Sequence, residues 1–224
     1  MSSSSATKRK REEGPVVSYG ILLYKRGDDD TATNTSSSSS PPTIQFLLGL
    51  IPQRNWWTVF KGLPDDDEGD ESPIDTAIRE FQEETGSAGL LTRDSWAPVA
   101  TLHGAVQGKH KKRLEIYLHP GSFFEPTTCF CLERVVKIDS GGGYMHGKPE
   151  IVAVQWMTLD QALAGMNGAK IYKSQEGILK QAQDILMRKF AQEDKEKAKG
   201  DGKESNYAKA KEEEPNESPS KSDT

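Results

Sequence analysis

Residues 62–86 decide the fold, and they read GLPDDDEGDESPIDTAIREFQEETG. The second half of this stretch carries signals for both ends of a helix. Ser72 is a favoured N-cap, Pro73 suits the first helical position, and Gly86 suits a left-handed C-terminal cap. Apolar residues between them recur at i, i+3, i+4 and i+7, on one face: Ile74, Ala77, Ile78 and Phe81. The stretch therefore predicts a helix over residues 72–85 with one buried side.

Three glutamates of this helix lie on a face beside the apolar one. Glu80, Glu83 and Glu84 are spaced i, i+3 and i+4, so their charges repel one another unless a cation lies among them. Mg²⁺ prefers hard oxygen ligands and keeps several waters that substrate phosphate can displace. Arg79 directly precedes the cluster, and its planar guanidinium can brace a carboxylate. The helix is therefore predicted to hold one or more Mg²⁺ ions, with Mn²⁺ as the alternative.

The whole stretch resembles the Nudix box, which runs G-x5-E-x7-R-E-U-x-E-E-x-G-U, where U is aliphatic. The matching residues are Gly62, Glu71, Arg79, Glu80, Phe81, Glu83, Glu84 and Gly86. The match departs from the box at three places. Eight residues instead of five separate Gly62 from Glu71, Phe81 is larger than an aliphatic residue, and Ser87 replaces the last apolar position. A merely solvated acidic helix face would not bring the arginine, the glycines and the upstream glutamate into the same spacing.

The resemblance implies roles for individual residues. The implied metal ligands are Glu80, Glu83, Glu84 and the carbonyl of Gly62. The implied catalytic residues are Glu80, Glu83, Arg79, Glu71 and Glu150. Among these, Glu71 and Arg79 would orient the cluster, and the general base would be either a box glutamate or Glu150, which precedes a predicted strand. The metal would neutralise the diphosphate and help to make a nucleophile from water, and positioning would do the rest.

Apolar, β-prone segments flank this helix on both sides. Strands are predicted over residues 15–25, 44–51, 56–60, 96–106, 114–119, 130–138 and 151–157. A short helix over 159–164 and an amphipathic helix beginning near Ser174 follow them. Strands interspersed with few helices indicate an α+β fold with a mixed β-sheet covered by helices. Together with the box, this predicts an α/β/α sandwich of the Nudix type.

Polar segments bound the predicted domain. Residues 1–13 and 193–224 have little apolar content and are expected to be disordered, which leaves a Nudix hydrolase domain over 14–192. The polar run 27–43 is expected to be a disordered loop insertion between two strands. A net charge of -5 leaves no overall footprint for nucleic acid, and no apolar run approaches the ~18 residues of a membrane span. Neither nucleic acid nor a membrane is therefore expected as a partner.

The cysteines and the N-terminal basic run bear on localisation. Cys129 and Cys131 are too close for an ordinary disulfide and lack zinc-site spacing, so reduced thiols in the cytoplasm are expected. The run KRKR at residues 8–11 is either a nuclear import signal or part of a solvated tail, so a nuclear location stays open. The sequence does not indicate an oligomeric state.

Candidate substrate contacts lie outside the box. The basic run 108–113, between two predicted strands, would either meet a polyphosphate or be solvated hairpin charge. Trp56 and Trp57 point to opposite faces of one strand, so that one is core while the other could stack on a base. The residues predicted to bind substrate are Lys109, Lys111, Arg113, Trp57 and Tyr144.

The resemblance implies a small phosphorylated molecule as the substrate. The family cleaves nucleoside diphosphates linked to another group, or close relatives such as diphosphoinositol phosphates. The end of the domain is similar to MutT-like and dinucleoside-polyphosphate-cleaving members, which favours a nucleotide such as diadenosine tetraphosphate or a nucleoside triphosphate. The alternatives are a diphosphoinositol polyphosphate hydrolase, an RNA cap hydrolase and a non-catalytic nucleotide-sensing domain.

Overall fold

The computed structural model describes residues 16–27, 42–65, 70–104, 112–126, 136–138, 143–145 and 150–209. The chain divides into one unit that ends at Asp184 and a second that begins at Ile185. Several predictions concern residues outside the described ranges: the basic run 8–11, most of the loop insertion 27–43, Lys109, Lys111, Cys129, Cys131 and the last residues of the tail.

An eight-stranded mixed sheet is the centre of the first unit. Its strands are β1 (Val17–Gly27), β2 (Thr43–Ile51), β3 (Trp56–Thr58), β4 (Phe60–Gly62), β5 (Ala100–His103), β6 (Arg113–Pro120), β9 (Ala153–Thr158) and β10 (Lys170–Ile171). A separate antiparallel pair joins β7 (Val136–Ile138) and β8 (Gly143–Met145).

The strand order of the large sheet is β10-β3-β2-β1-β6-β5, with β4 also paired to β1 and β9 to β2. β1 is central because it runs parallel to β6 and antiparallel to both β2 and β4. Its residues Ile21, Leu22 and Leu23 are all buried, so both faces of this strand are covered. A strand covered on both faces reads as a continuous apolar run, which is what its sequence shows.

Helices cover the sheet on both sides, which confirms the predicted fold class. The helices are α1 (Pro73–Thr85), α2 (Leu159–Ala164) and α3 (Glu176–Lys209), with a 3₁₀ turn at Lys173–Gln175. α1 packs Ala77 and Phe81 into a cluster that includes Ile21 of β1. On the opposite face, Ile178 of α3 lies against Gly104, beside Leu114 of β6. Among the described residues, no helix is both long enough and apolar enough to cross a membrane.

Two predicted strands differ from the observed elements by a break or by more than two residues at an end, and a third is described only in part. The strand over 56–60 is divided at Val59, because the Val59 N–H donates to the buried side chain of Gln175 at 2.9 Å instead of to a strand. The strand over 96–106 is shorter and begins at Ala100, and only residues 136–138 of the strand over 130–138 are described.

The C-terminal helix is longer than the sequence predicts. α3 continues past residue 193, where a disordered tail is expected to begin, and ends at Lys209. Lysine, glutamate and alanine, which dominate this segment, are good helix formers. Pairs spaced i, i+4 add to this, and Lys189 Nζ lies 2.7 Å from Glu193 Oε1. Local helix propensity therefore accounts for the helix beyond residue 193, and the expected disorder of the tail stays a prediction.

Candidate active site

The helix that carries the carboxylates begins and ends as its sequence predicts. The Ser72 side chain accepts a hydrogen bond from the Asp75 N–H at 3.3 Å, and Gly86 closes the helix in the left-handed conformation at φ 69°. Arg93 reinforces the first turn from a later loop, since its Nε lies 2.7 Å from Asp75 Oδ1 and its Nη2 lies 2.8 Å from Ser72 Oγ. These contacts fix the N-terminal end of α1 from two sides.

Arg79 connects the carboxylates of the site. Its Nη1 lies 3.0 Å from Oε1 of Glu80 and 3.0 Å from Oε2 of Glu83. Its Nε and Nη2 reach Oδ1 and Oδ2 of Asp70 at 3.1 and 2.9 Å, and Nη2 also donates to the carbonyl of Leu63 at 2.9 Å. One guanidinium therefore ties the helix glutamates to the loop that precedes the helix.

The carboxylate that braces Arg79 from the loop is Asp70, and the role of Glu71 in orienting the cluster stays a prediction. The Asp70 side chain is only 3% exposed, whereas Glu71 is exposed. The pKa of Arg93 is raised mainly by its hydrogen bond to Asp75, with the charge of Glu71 as a lesser cause. Glu71 therefore interacts electrostatically with Arg93 at the start of α1.

Asp65 holds the Asp70 side chain in place. The Asp65 N–H donates to Oδ2 of Asp70 at 2.9 Å, and the Asp70 N–H donates back to the Asp65 carbonyl at 3.3 Å. The spacing of the box counts residues along the chain, so it does not show which of two adjacent acids reaches Arg79.

Glu80 and Glu84 form the inner part of the site. Glu84 is 8% exposed and accepts a hydrogen bond from the Lys61 N–H at 2.8 Å. A β-carbon at Gly62 would overlap the carboxylate of Glu80, so a larger residue there would displace that side chain. Burial raises the pKa of both carboxyls, and the charge of Glu150 raises each of them further. Glu150 is therefore close enough to act electrostatically on this cluster, as its predicted role requires.

The donor set fits a hard divalent cation. Within the described ranges, no group of three or more His, Cys, Asp or Glu side chains is arranged as a ready-made metal site. However, Glu80, Glu84 and Glu150 bring like charges together, and burial makes the charged forms of the first two less favourable. A cation among them would reverse both effects and would find the carboxylate oxygens that Mg²⁺ prefers.

Comparison with known proteins identifies the family. The model of the NUDIX domain matches residues 45–177, which is more than half of the chain. This chain belongs to the Nudix family. The resemblance of residues 62–86 to the Nudix box is thereby confirmed. A search of curated proteins finds no match.

Several solved structures are similar to this chain at low sequence identity. The NUDIX domain of Shewanella oneidensis NrtR in complex with ADP ribose is 14% identical, with a TM-score of 0.46 over 80% of this chain and 94% of that chain. The C. elegans Ap4A hydrolase is 18% identical, with a TM-score of 0.43 over 77% and 99%. S. oneidensis NrtR in complex with a 27mer DNA is 16% identical, with a TM-score of 0.44 over 77% and 63%.

The two adjacent tryptophans of this Nudix domain point to opposite faces of their strand, as predicted. However, the residue predicted to bind substrate, Trp57, is the buried one. Trp57 is 1% exposed and its Nε1 donates to the Met166 carbonyl at 3.5 Å, so it is a core residue and not a substrate contact. Trp56 is the half-buried one, and it stacks on Tyr172 at 4.5 Å between ring centroids while Arg54 lies 5.5 Å from its ring. The sequence shows that the two rings face opposite ways, but not which face the core covers.

The other predicted substrate residues are not all brought together. Arg113 begins β6, and its Nη2 lies 3.3 Å from Nδ1 of His103. Tyr144 lies in β8, opposite Lys137 of β7, in the small separate sheet. The structure also contributes residues that sequence spacing misses, above all Asp70 and the backbone N–H of Lys61. Their only signal in the sequence is an acidic loop and a position next to the box glycine.

Proposed function

We propose that this chain is a Mg²⁺-dependent hydrolase that cleaves a phosphoanhydride bond in a nucleoside diphosphate-linked substrate, with Mn²⁺ as the alternative metal. The observation that carries the proposal is the pair of carboxylates formed by the buried Glu84 and the partly buried Glu80, held between Arg79 and the backbone beside Gly62. Like charges held this closely destabilise a fold unless a counter-charge lies among them, and a divalent cation supplies that charge.

Each residue of the site has a defined task in the proposed reaction. When bound, Mg²⁺ neutralises the diphosphate and lowers the pKa of a bound water. Glu84 is oriented by the Lys61 N–H, and Glu80 is oriented by Arg79. The general base is Glu150 or a box glutamate, because a carboxylate within hydrogen-bond reach of the attacking water can accept its proton. Phosphoryl transfer otherwise requires mainly that groups be positioned correctly around the reacting phosphorus.

The test is phosphate release measured over a panel of substrates with Mg²⁺ or Mn²⁺. The panel includes nucleoside triphosphates, diadenosine tetraphosphate, ADP ribose, diphosphoinositol phosphates and capped RNA. At least one nucleoside diphosphate-linked compound is expected to be cleaved, and Glu83→Gln is expected to abolish its cleavage while the far-UV circular dichroism spectrum is kept. Glu176→Gln, at the start of α3, is the matched control. Near-normal release by Glu83→Gln would refute the assignment of the metal site.

A non-catalytic nucleotide-binding domain is the second candidate. It is supported by Arg79, which pairs with both Glu80 and Glu83 and so partly neutralises the carboxylates without a metal. This candidate is favoured if nucleotides bind in calorimetry while no member of the panel is hydrolysed with either metal.

A further inference from the structure

A row of side chains crosses the sheet beside the carboxylate cluster. Tyr19 pairs with Gly62 of β4 and also with Glu115 of β6, and Glu115 pairs in turn with His103 of β5. Paired residues of neighbouring strands project to the same face of a sheet. The β-carbon direction at Gly62 leads to the carboxylate of Glu80. Tyr19, Glu115 and His103, which we name the strand row, therefore lie on the same face as Glu80 and in line with it.

The spacing of the strand row matches the size of a small organic group attached to a diphosphate. Neighbouring strands lie about 4.8 Å apart. Measured from Gly62, the backbone positions of Tyr19, Glu115 and His103 are therefore at roughly 5, 10 and 14 Å along the row. When the phosphates of a substrate lie at the carboxylate cluster, the group attached to them is long enough to reach these side chains.

The middle of the strand row is a carboxylate held in place on both sides. The Tyr117 hydroxyl donates to Oε1 of Glu115 at 3.1 Å, and burial together with the charge of Glu115 raises the pKa of Tyr117 to about 12, so it stays a donor. Nδ1 of His103 lies 3.9 Å from Oε2 of Glu115, and Arg113 in turn lies against that nitrogen. Each carboxylate oxygen can accept two hydrogen bonds, so both keep capacity for a ligand.

The exposure of these residues is graded along the strand row. Tyr117 is 7% exposed and belongs to the apolar cluster beneath α1, whereas the Glu115 side chain is 24% exposed and that of His103 is 50% exposed. Tyr19 is partly buried and packs against the same apolar cluster. The strand row thus has an apolar floor and a polar upper edge, and small-molecule sites combine these two kinds of surface.

We propose that the strand row binds the nucleoside part of the substrate, with the Tyr19 ring against the base or sugar and Glu115 accepting hydrogen bonds from its N–H or O–H groups. The inference rests on the proposed function, because it takes the phosphates to lie at the Glu80 cluster. A carboxylate only accepts hydrogen bonds, so it selects a neutral group rich in donors. It also repels a ring that carries further phosphates, because like charges at a binding site oppose association. The chemistry of Glu115 therefore favours a nucleoside over a diphosphoinositol.

The experiment measures binding of AMP by calorimetry in the presence of EDTA, so that neither metal nor turnover is involved. Wild type is expected to bind AMP, and Glu115→Ala is expected to weaken it by about 10- to 100-fold, the range for lost hydrogen bonds to a charged group. Tyr19→Leu is expected to weaken AMP binding about tenfold through loss of stacking. Glu176→Ala is the control and is expected to change nothing.

Three further measurements keep the inference open to refutation. Tyr117→Phe leaves Glu115 in place but removes the bond that orients it, and a several-fold weaker affinity for AMP is expected even if Glu115→Ala does not fold. Inositol hexakisphosphate is expected to bind wild type more weakly than AMP does. Equal affinity of wild type, Glu115→Ala and Tyr117→Phe for AMP would overturn the inference, as would tighter binding of inositol hexakisphosphate.

The two proposals fail in different ways. If AMP binding depends on Glu115 but no substrate is hydrolysed, the proposed hydrolase activity is wrong and the strand row still binds nucleosides. If hydrolysis depends on the box glutamates while AMP binding and KM are unchanged in the Glu115 and Tyr19 variants, the inference is wrong and the hydrolase stands.

Discussion

Replacing Asp70 tests whether this residue, in place of the box glutamate, holds Arg79. Asp70→Asn keeps the size of the side chain but removes its charge and leaves one acceptor oxygen. The side chains of Asp70 and Arg79 are only 3% and 17% exposed, and three donors reach the carboxylate: Nε and Nη2 of Arg79 and the N–H of Asp65.

The expected loss can be bounded from these contacts. Breaking a buried ion pair costs about 3–5 kcal/mol, whereas a hydrogen bond to a charged group contributes about 1.5–3 kcal/mol. Arg79 keeps Glu80, Glu83 and the Leu63 carbonyl as partners, so the lower range applies. We therefore expect the free energy of unfolding to fall by about 1.5–3 kcal/mol and the Tm by roughly 3–12 °C.

Urea and thermal unfolding measure this loss, with Glu71→Gln as the matched control. Glu71 is adjacent, carries the same charge and is exposed, so its substitution is expected to change the free energy of unfolding by less than about 0.5 kcal/mol. A larger loss for Glu71→Gln than for Asp70→Asn would refute the reasoning, because it would show that Glu71 contributes more than Asp70 to holding the site.

Substitutions at three other positions test other parts of the account. Trp57→Ala is expected to lower the free energy of unfolding by about 3–5 kcal/mol in urea titrations, and Trp57→Phe is expected to leave KM unchanged, because the ring is core. Gly62→Ala is expected to reduce kcat at least about tenfold, because the added β-carbon displaces the carboxylate of Glu80 and a misplaced catalytic group slows the reaction. An unchanged kcat would contradict the close contact between Gly62 and Glu80. Arg93→Gln tests how stability depends on pH. The hydrogen bond from Arg93 lowers the pKa of Asp75 in the folded state below its ordinary 3.8. The contact therefore stabilises the fold above pH 3.8, and this stability is lost as the pH falls through the lowered pKa of Asp75. The Tm difference between wild type and Arg93→Gln is therefore expected to be constant down to about pH 5 and to shrink toward pH 3; a difference that grows on acidification would be against it.

Local signals were sufficient for the helix that carries the site. Ser72, Pro73 and Gly86 predict its ends, and the observed helix α1 is Pro73–Thr85 with those caps. Each of these signals acts within one turn of the residue that carries it, so distant contacts do not alter them. The middle of the central strand is equally readable, because burial on both faces requires apolar residues at successive positions, as at Ile21, Leu22 and Leu23.

Long-range contacts decide the features that the sequence does not predict. The break at Val59 depends on Gln175, which is 116 residues away along the chain. The position of the Asp70 side chain depends on its contacts with Arg79 and with the Asp65 N–H. Which of Trp56 and Trp57 is buried depends on packing against a later segment. In each case the sequence shows the chemical type of the residue but not the partner that orients it.

The central claim is that Glu84 belongs to a catalytic metal site, and a Mg²⁺ titration of phosphate release tests it most directly. Glu84→Gln keeps an oxygen for the Lys61 N–H and removes only the charge, so the fold is expected to persist. Wild type is predicted to release phosphate from a nucleoside diphosphate-linked substrate with a rate that rises and saturates with Mg²⁺, and Glu84→Gln is predicted to lose at least about 100-fold in kcat. Release that is independent of divalent metal, or near-normal release by a folded Glu84→Gln protein, would contradict the claim.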